Sequence, residues 1–337
     1  MRVLIVKTSS MGDIIHTLPA ITDALQAKKG IIFDWVVEEG FAEIPNWHSG
    51  VDRVIPVALR RWRKNIIKTW GSSEWKQFKR SLGKHHYDLV IDAQGLLKSA
   101  WLTRFIKAPV VGYDKDSVRE SVASFFYQHK YSVAKNQHAV ERIRELFAKA
   151  LGYNKPQEKG FYGLQANNFF GSKCMPKNVV FLHGTTRENK HYPEIYWQTL
   201  AQKITADGYK IRLPWASDLE RARAHRIAEG NAGVEVLPRL NLHGVAGVLA
   251  QADAVVAVDT GLGHLTAALD VPAISLYGPT KPGLIGAYGY NQIHLKASEC
   301  DEVIADVDPK VFSPLTPDVV HDALTRLLLK SAHKVCS

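Results

Sequence analysis

Short apolar runs alternate with helical patterns in two successive series along the chain, with a polar stretch between them. In the first series Val3–Val6 reads as a buried strand, and Ile14, Leu18, Ile21 and Leu25 then recur at the spacing of one helix face. Ile31–Val37, Leu89–Ile91 and Val110–Val111 predict further strands, and Gly95–Ile106 and Ala139–Leu151 predict helices. The stretch Gly152–Gly171, rich in Gly, Asn, Gln and Lys, predicts a linker. The second series has strands at Val179–Leu182, Lys210–Leu213, Val234–Val236, Ala254–Val258 and Ala273–Leu276. Thr316-Pro317-Asp318 predicts the start of a last helix, with Thr as N-cap and Pro at the first helical position. Strand–helix alternation of this kind builds parallel sheets covered by helices. The predicted class is α/β, two doubly wound halves, with ligands beyond the carboxyl ends of the strands.

A length of 337 residues fits one large or two medium domains, and a 46% hydrophobic content supplies a full core. No apolar run reaches the roughly 18 residues of a membrane span, and the start Met1-Arg2-Val3-Leu4 lacks a signal-peptide pattern. Cys174, Cys300 and Cys336 are odd in number and scattered, against a disulfide framework or zinc cluster. A cytoplasmic protein is expected. The net charge is +10, and nine Lys/Arg against the single acid Glu74 lie between Arg60 and Lys84, interleaved with Trp62, Trp70 and Trp75. Such a segment suits an anionic membrane surface, an acidic substrate or nucleic acid, or is a solvated helical face. No G-x-G-x-x-G follows the first strand and no G-x-x-x-x-G-K-[ST] occurs, which disfavours a standard dinucleotide fold and a P-loop enzyme.

The most informative motif is Val258-Asp259-Thr260-Gly261-Leu262-Gly263-His264-Leu265. A strand that ends on Asp-Thr-Gly and opens a helix at about Leu262 makes a phosphate seat, because the first helical N–H groups lack partners and carry the positive dipole end. The same turn also serves as an ordinary N-cap. Thr185, Thr186 and Lys190 follow the strand Val179–Leu182, where hydroxyls and an ammonium suit a diphosphate or form a plain surface turn. By position alone Asp13 is an N-cap for a helix beginning near Ile14.

The chain resembles the lipopolysaccharide heptosyltransferases over nearly its whole length. The resemblance is carried by Lys7-Thr8-Ser9-Ser10-Met11-Gly12-Asp13, by Phe33–Glu39, by Val90-Ile91-Asp92-Ala93-Gln94-Gly95-Leu96-Leu97-Lys98-Ser99 and by His138–Arg142. It continues through His183-Gly184-Thr185-Thr186, Leu213-Pro214-Trp215, Val258–Leu265 and Ser275–Thr280. Tyr192 stands where the family commonly has Trp, and Lys281 where an acid is often found. The resemblance implies a GT-B fold, with an acceptor-binding domain at 1–160, a donor-binding domain at 161–315 and a last segment at 316–337 packing back toward the first half. It implies inverting transfer of the first heptose from ADP-L-glycero-β-D-manno-heptose to the Kdo of Kdo2-lipid A, at the inner-leaflet surface, with no nucleic-acid partner.

The resemblance makes Asp13 the general base that takes the proton of the attacking sugar hydroxyl. Lys190 then offsets charge on the leaving phosphate, Thr185, Thr186, Thr260 and Gly261 hold phosphate, and Asp259 meets heptose hydroxyls. Glu220 accepts from the ribose, Leu240 lies by the adenine, and His264 is a further donor contact or an interior histidine. Arg60, Arg61, Arg63 and Lys64, with Lys98 and Arg119, face the acidic acceptor, since guanidinium forks match carboxylate and phosphate. With Lys190 and helix N-termini in the electrostatic role of a cation, no obligatory metal or other cofactor is expected. Two rival readings are a nucleotide-sugar epimerase on the same fold, which leaves the basic patch without a purpose, and a non-catalytic polyanion- or membrane-binding module, which leaves Asp13, Lys190 and Asp259–Gly261 without one.

Overall fold

A computed structural model describes residues 1–169, 177–301 and 305–335, so the linker's end at Phe170 and Gly171, and Cys174 and Cys336, lie outside the described residues. The chain divides into two compact units, Met1–Leu164 and Gln165–Ser337, and the division falls inside the predicted linker.

In the first unit the strands are β1 (Arg2–Val6), β2 (Ile32–Glu38), β3 (Val51–Val57), β4 (Leu89–Asp92), β5 (Val110–Tyr113) and β6 (His129–Tyr131). The helices are α1 (Met11–Ile15), α2 (Leu18–Ala27), α3 (Glu43–Asn46), α4 (Leu59–Trp62), α5 (Ile66–Gly71), α6 (Ser73–Leu82), α7 (Leu97–Thr103) and α8 (Ala139–Leu151). The sheet order is β3-β2-β1-β4-β5-β6, and the pairings are parallel. The chain thus leaves β1 toward one edge and returns at β4 toward the other, which puts a switch point between β1 and β4. Two departures from expectation have local causes. The single helix expected from Ile14 to Leu25 is broken into α1 and α2, with Pro19 in the first turn of α2. The helix expected from Gly95 starts two residues later, because Gly95 sits at φ +67 in the left-handed region. α2 and α8 pack together around a buried ion pair, Arg144 Nε donating to Asp23 Oδ2 at 2.7 Å.

In the second unit the strands are β7 (Asn178–Leu182), β8 (Lys210–Leu213), β9 (Val234–Val236), β10 (Ala254–Val258), β11 (Ala273–Tyr277) and β12 (Gln292–Lys296). The helices are α9 (Glu194–Ala206), α10 (Asp218–Ala228), α11 (Leu242–Ala250), α12 (Gly261–Ala268) and α13 (Pro317–Val335). The order β12-β11-β10-β7-β8-β9, again parallel, sets the switch point between β7 and β10. β7, β10 and β11 are buried along their whole length, as central strands covered on both faces must be. α13 begins where Thr316-Pro317 predicted and packs on α9, β10 and β11 of its own unit. Tyr192 lies in that core, fully buried, with its hydroxyl donating to Leu315 O at 2.8 Å. Among the described residues no helix is long and apolar enough to cross a membrane.

Candidate active site

Each switch point gathers charged and polar side chains. In the first unit the loop after β1 crosses to the loop after β4. Gln94 Oε1 accepts from the N–H groups of Thr8 and Ser9 at 2.9 and 3.1 Å, and the buried Lys7 ammonium donates to Ala93 O at 3.0 Å. The loop after β4 is itself held by buried Asp92, which accepts from Gln94 N, Gly95 N, the Ser99 hydroxyl and the Tyr127 hydroxyl. Burial pushes the Asp92 carboxyl up, against those four donors.

Asp13 is not the N-cap. Ser10 caps α1, and Asp13 is the third helical residue, reaching back so that its Oδ2 accepts from both the N–H and the hydroxyl of Ser10 at 2.9 Å. A carboxylate suits that position because it meets the unpaired N–H groups and positive dipole of the first turn. Its other oxygen, Oδ1, lies 3.9 Å from Lys7 Nζ, and the side chain keeps 34% of its surface. Burial would raise its pKa, but Lys7, the two Ser10 donors and Arg119 outweigh that and hold it below the ordinary carboxylate value. Lys7 is pushed down by its burial, partly restored by Asp13 and Asp92. A carboxylate depressed in this way is ionised at neutral pH and takes up a proton only as pH falls through its lowered pKa. Ser10→Ala removes one donor, raises that pKa, and is expected to move the acidic limb of kcat/KM toward neutrality. A pH–rate profile for parent and variant checks this.

Lys7 and Arg119 act on Asp13, and other expected cations lie around Lys98 and Glu38. Lys98 Nζ donates to Ser9 Oγ at 3.2 Å, and burial lowers its pKa, with Glu38 acting to raise it and Arg60, Arg63 and Arg119 to lower it. Arg60 lies over the Phe41 ring, and its N–H donates to Glu38. Arg63 and Lys64 are exposed. Arg61 is a different case. Its guanidinium is held by Glu39 at 3.0 Å and Glu74 at 2.5 Å, and Glu74 also accepts from the Trp62 indole. Those exposed ion pairs link α4 to α6 and to the turn after β2.

In the second unit the ends of β7, β10 and β11 meet. Lys190 Nζ is 2.5 Å from Asp259 Oδ2, and each side chain keeps 16% of its surface. Thr280 Oγ1 donates to the same carboxylate oxygen at 3.0 Å, and Thr185 Oγ1 donates to Asp259 O at 3.1 Å. Asp259 therefore fixes an ammonium and a hydroxyl beside the start of α12, whose N-cap is Thr260 and whose first residue is Gly261. His264 lies half-buried on its first turn and Leu240 half-buried just before α11, while Thr186 is exposed. Glu220 forms a capping box with Ser217: its Oε2 accepts from Ala216 N at 2.7 Å and Ser217 N at 3.3 Å. Its Oε1 lies against Gly184, where a Cβ would approach to 2.7 Å, so Gly184 leaves the room that carboxylate occupies. Thr280, Gly184, Lys7 and Ser10 were missed as site residues on the sequence. The available signal was their position just past central strands, or at a helix start. Just past β5, Asp114 Oδ1 accepts from Ser117 N at 2.8 Å as a turn cap.

Two doubly wound units, each with its functional groups at the switch point of a parallel sheet, define the GT-B class of α/β proteins. Residues 75–309 match the model of glycosyltransferase family 9 (heptosyltransferase). The chain belongs to that family. It is 55% identical to lipopolysaccharide heptosyltransferase 1 of Pseudomonas aeruginosa, over 98% of each chain. Among solved structures, E. coli heptosyltransferase WaaC with ADP superposes with a TM-score of 0.88 at 53% identity, covering 97% of this chain and 100% of that one. The same enzyme with ADP-2-deoxy-2-fluoro heptose gives 0.85 at 52% identity, covering 97% and 99%.

Proposed function

We propose that this chain is the lipopolysaccharide heptosyltransferase that moves a heptose from ADP-L-glycero-β-D-manno-heptose to the Kdo of Kdo2-lipid A, with inversion at the anomeric carbon. The observation that carries the reading is the one-third-exposed carboxylate of Asp13, held by Ser10 and lying 3.9 Å from the Lys7 ammonium. A Kdo hydroxyl loses its proton to Asp13 as its oxygen bonds the anomeric carbon and the bond from that carbon to the β-phosphate oxygen breaks. Both electrons of the broken bond leave with ADP. Lys190, kept in place by Asp259, and the N–H groups that open α12 take up the charge that grows on the departing phosphate. Glu220 accepts from ribose hydroxyls. No metal or other cofactor is assigned a step.

Arg60, Arg63, Lys64, Lys98 and Arg119 receive the carboxylates and phosphates of the acceptor, which its lipid tails hold at the inner-leaflet surface. Replacing Arg60, Arg63 and Lys64 with Gln is expected to raise the KM for Kdo2-lipid A by roughly tenfold while ADP affinity stays the same, since exposed charge contacts are individually modest. The effect should shrink as salt rises, because screening already weakens those contacts in the parent. Steady-state kinetics with each substrate varied in turn, at low and high salt, checks both points.

The reading is tested by ADP release with and without acceptor. Release that needs Kdo2-lipid A supports transfer. Consumption of donor without acceptor points instead to an epimerase or hydrolase, and no turnover points to a binding module.

A further inference from the structure

One face of the first unit carries apolar side chains that neither cluster uses. Trp62, Trp75 and Phe78 form its buried floor. Trp101 stacks on Trp75 with ring centroids 5.7 Å apart, and Trp70 stacks on Trp101 at 6.2 Å. Phe105 meets Trp101 edge-on at 4.9 Å. The stack runs outward: Trp75 is buried, whereas Trp70 is 60% exposed and Leu97 and Phe105 also reach solvent. α7, which carries Leu97 and Trp101, packs on the 3₁₀ turn Ser121–Phe126. Glu120 fixes that junction, accepting from Leu97 N at 2.7 Å while its own N–H donates to Gly95 O. The turn exposes Val122 and, at 81%, Phe125. Exposed apolar residues scattered singly are ordinary; here they lie on touching elements and include rings held rigid by stacking, which marks an interaction surface.

Along the chain the neighbours of these side chains are mainly cationic, with Glu120 the acid at the turn. Lys68 precedes Trp70, Lys98 follows Leu97, Arg104 and Lys107 flank Phe105, and Arg119 precedes the turn; all five are exposed. We propose that the face docks on an anionic lipid bilayer, with Trp70, Phe105 and Phe125 entering the interfacial layer and the neighbouring cations meeting lipid phosphates. This rests on the reading of the acceptor as lipid-borne and adds which surface meets the lipid. A second copy of the chain on this face would bring like charges together. Single-stranded nucleic acid would use ring faces and cations, but Leu97 and Val122 offer neither. Lys98 and Arg119 belong both to these neighbours and to the cations that act on Glu38 and Asp13, so a bilayer against the face presents headgroups to them.

The test is flotation of the full chain with phosphatidylcholine vesicles and with mixed phosphatidylcholine–phosphatidylglycerol vesicles. The parent should float with the mixed vesicles only. The double variant Trp70→Ser, Phe125→Ser should lose roughly tenfold or more in partitioning, while transfer to detergent-dispersed Kdo2-lipid A is unchanged. As a second readout, brominated lipid should quench tryptophan emission in the parent and much less in Trp70→Phe. Equal flotation of parent and double variant overturns the surface and leaves the transfer reading intact. So does a parent that ignores both vesicles, or a variant whose loss is of self-association or of binding to a single-stranded RNA oligonucleotide. A parent that floats as expected but transfers no heptose overturns the transfer reading instead.

Discussion

Asp13→Asn is expected to lose roughly 10²–10⁴-fold in kcat, the range for removal of a general base. The amide fills nearly the same space and can still accept from Ser10 through its oxygen, so α1 keeps its cap. It cannot accept the proton of the attacking hydroxyl. The nucleotide contacts assigned to Lys190, Thr185 and the start of α12 lie in the other unit, so ADP affinity should match the parent's. Calorimetric ADP binding beside single-turnover transfer separates the two quantities. Near-parent turnover in a folded Asp13→Asn protein removes the base from the mechanism.

Lys190→Ala should lower kcat by about 10²–10³-fold, comparable with loss of one oxyanion donor, and should also weaken ADP binding. Two effects act in the same direction. The ammonium proposed to face the growing phosphate charge disappears, and Asp259 keeps Thr280 as its side-chain donor but loses its cation. Asp259→Asn then distinguishes them. It keeps Lys190 and removes the carboxylate, so it should cost less in ADP affinity than Lys190→Ala if the ammonium is the main contact. Parallel ADP titrations of the two variants show which holds.

The central strands were legible because burial on both faces leaves an uninterrupted apolar run, as in Ala254–Val258 and Val3–Val6. β3, β6 and β12 were missed, and each is an edge strand. Val51–Val57 is broken by Asp52, Arg53 and Pro56, His129–Tyr131 is three residues long, and Gln292–Lys296 is only half-buried. An edge strand has one neighbour and need not be apolar, so the run that marks a strand is absent.

The candidate site was legible where a candidate residue lies just past a buried strand, as Thr185 and Asp259 do after β7 and β10, or on the short helix that follows one, as Asp13 does after β1. It was not legible where the role depends on a partner far along the chain. Glu39 meets Arg61 across 22 residues and Thr280 meets Asp259 across 21, and only sheet order brings each pair together. Arg61 therefore read as one more cation of a basic run, although it is ion-paired to Glu39 and Glu74. The N-cap role assigned by position to Asp13 went to Ser10, because α1 begins at Met11, earlier than its first apolar residues indicate.

The central claim is that one catalytic event joins heptose to acceptor and frees ADP. The most direct measurement is mass spectrometry of Kdo2-lipid A after incubation with the full chain and ADP-L-glycero-β-D-manno-heptose, with ADP quantified in the same samples. The account predicts a product heavier than the acceptor by one heptose residue, formed in equal amount to the ADP released and absent with Asp13→Asn. An unchanged acceptor mass alongside consumed donor, or heptose added equally well by Asp13→Asn, would contradict it.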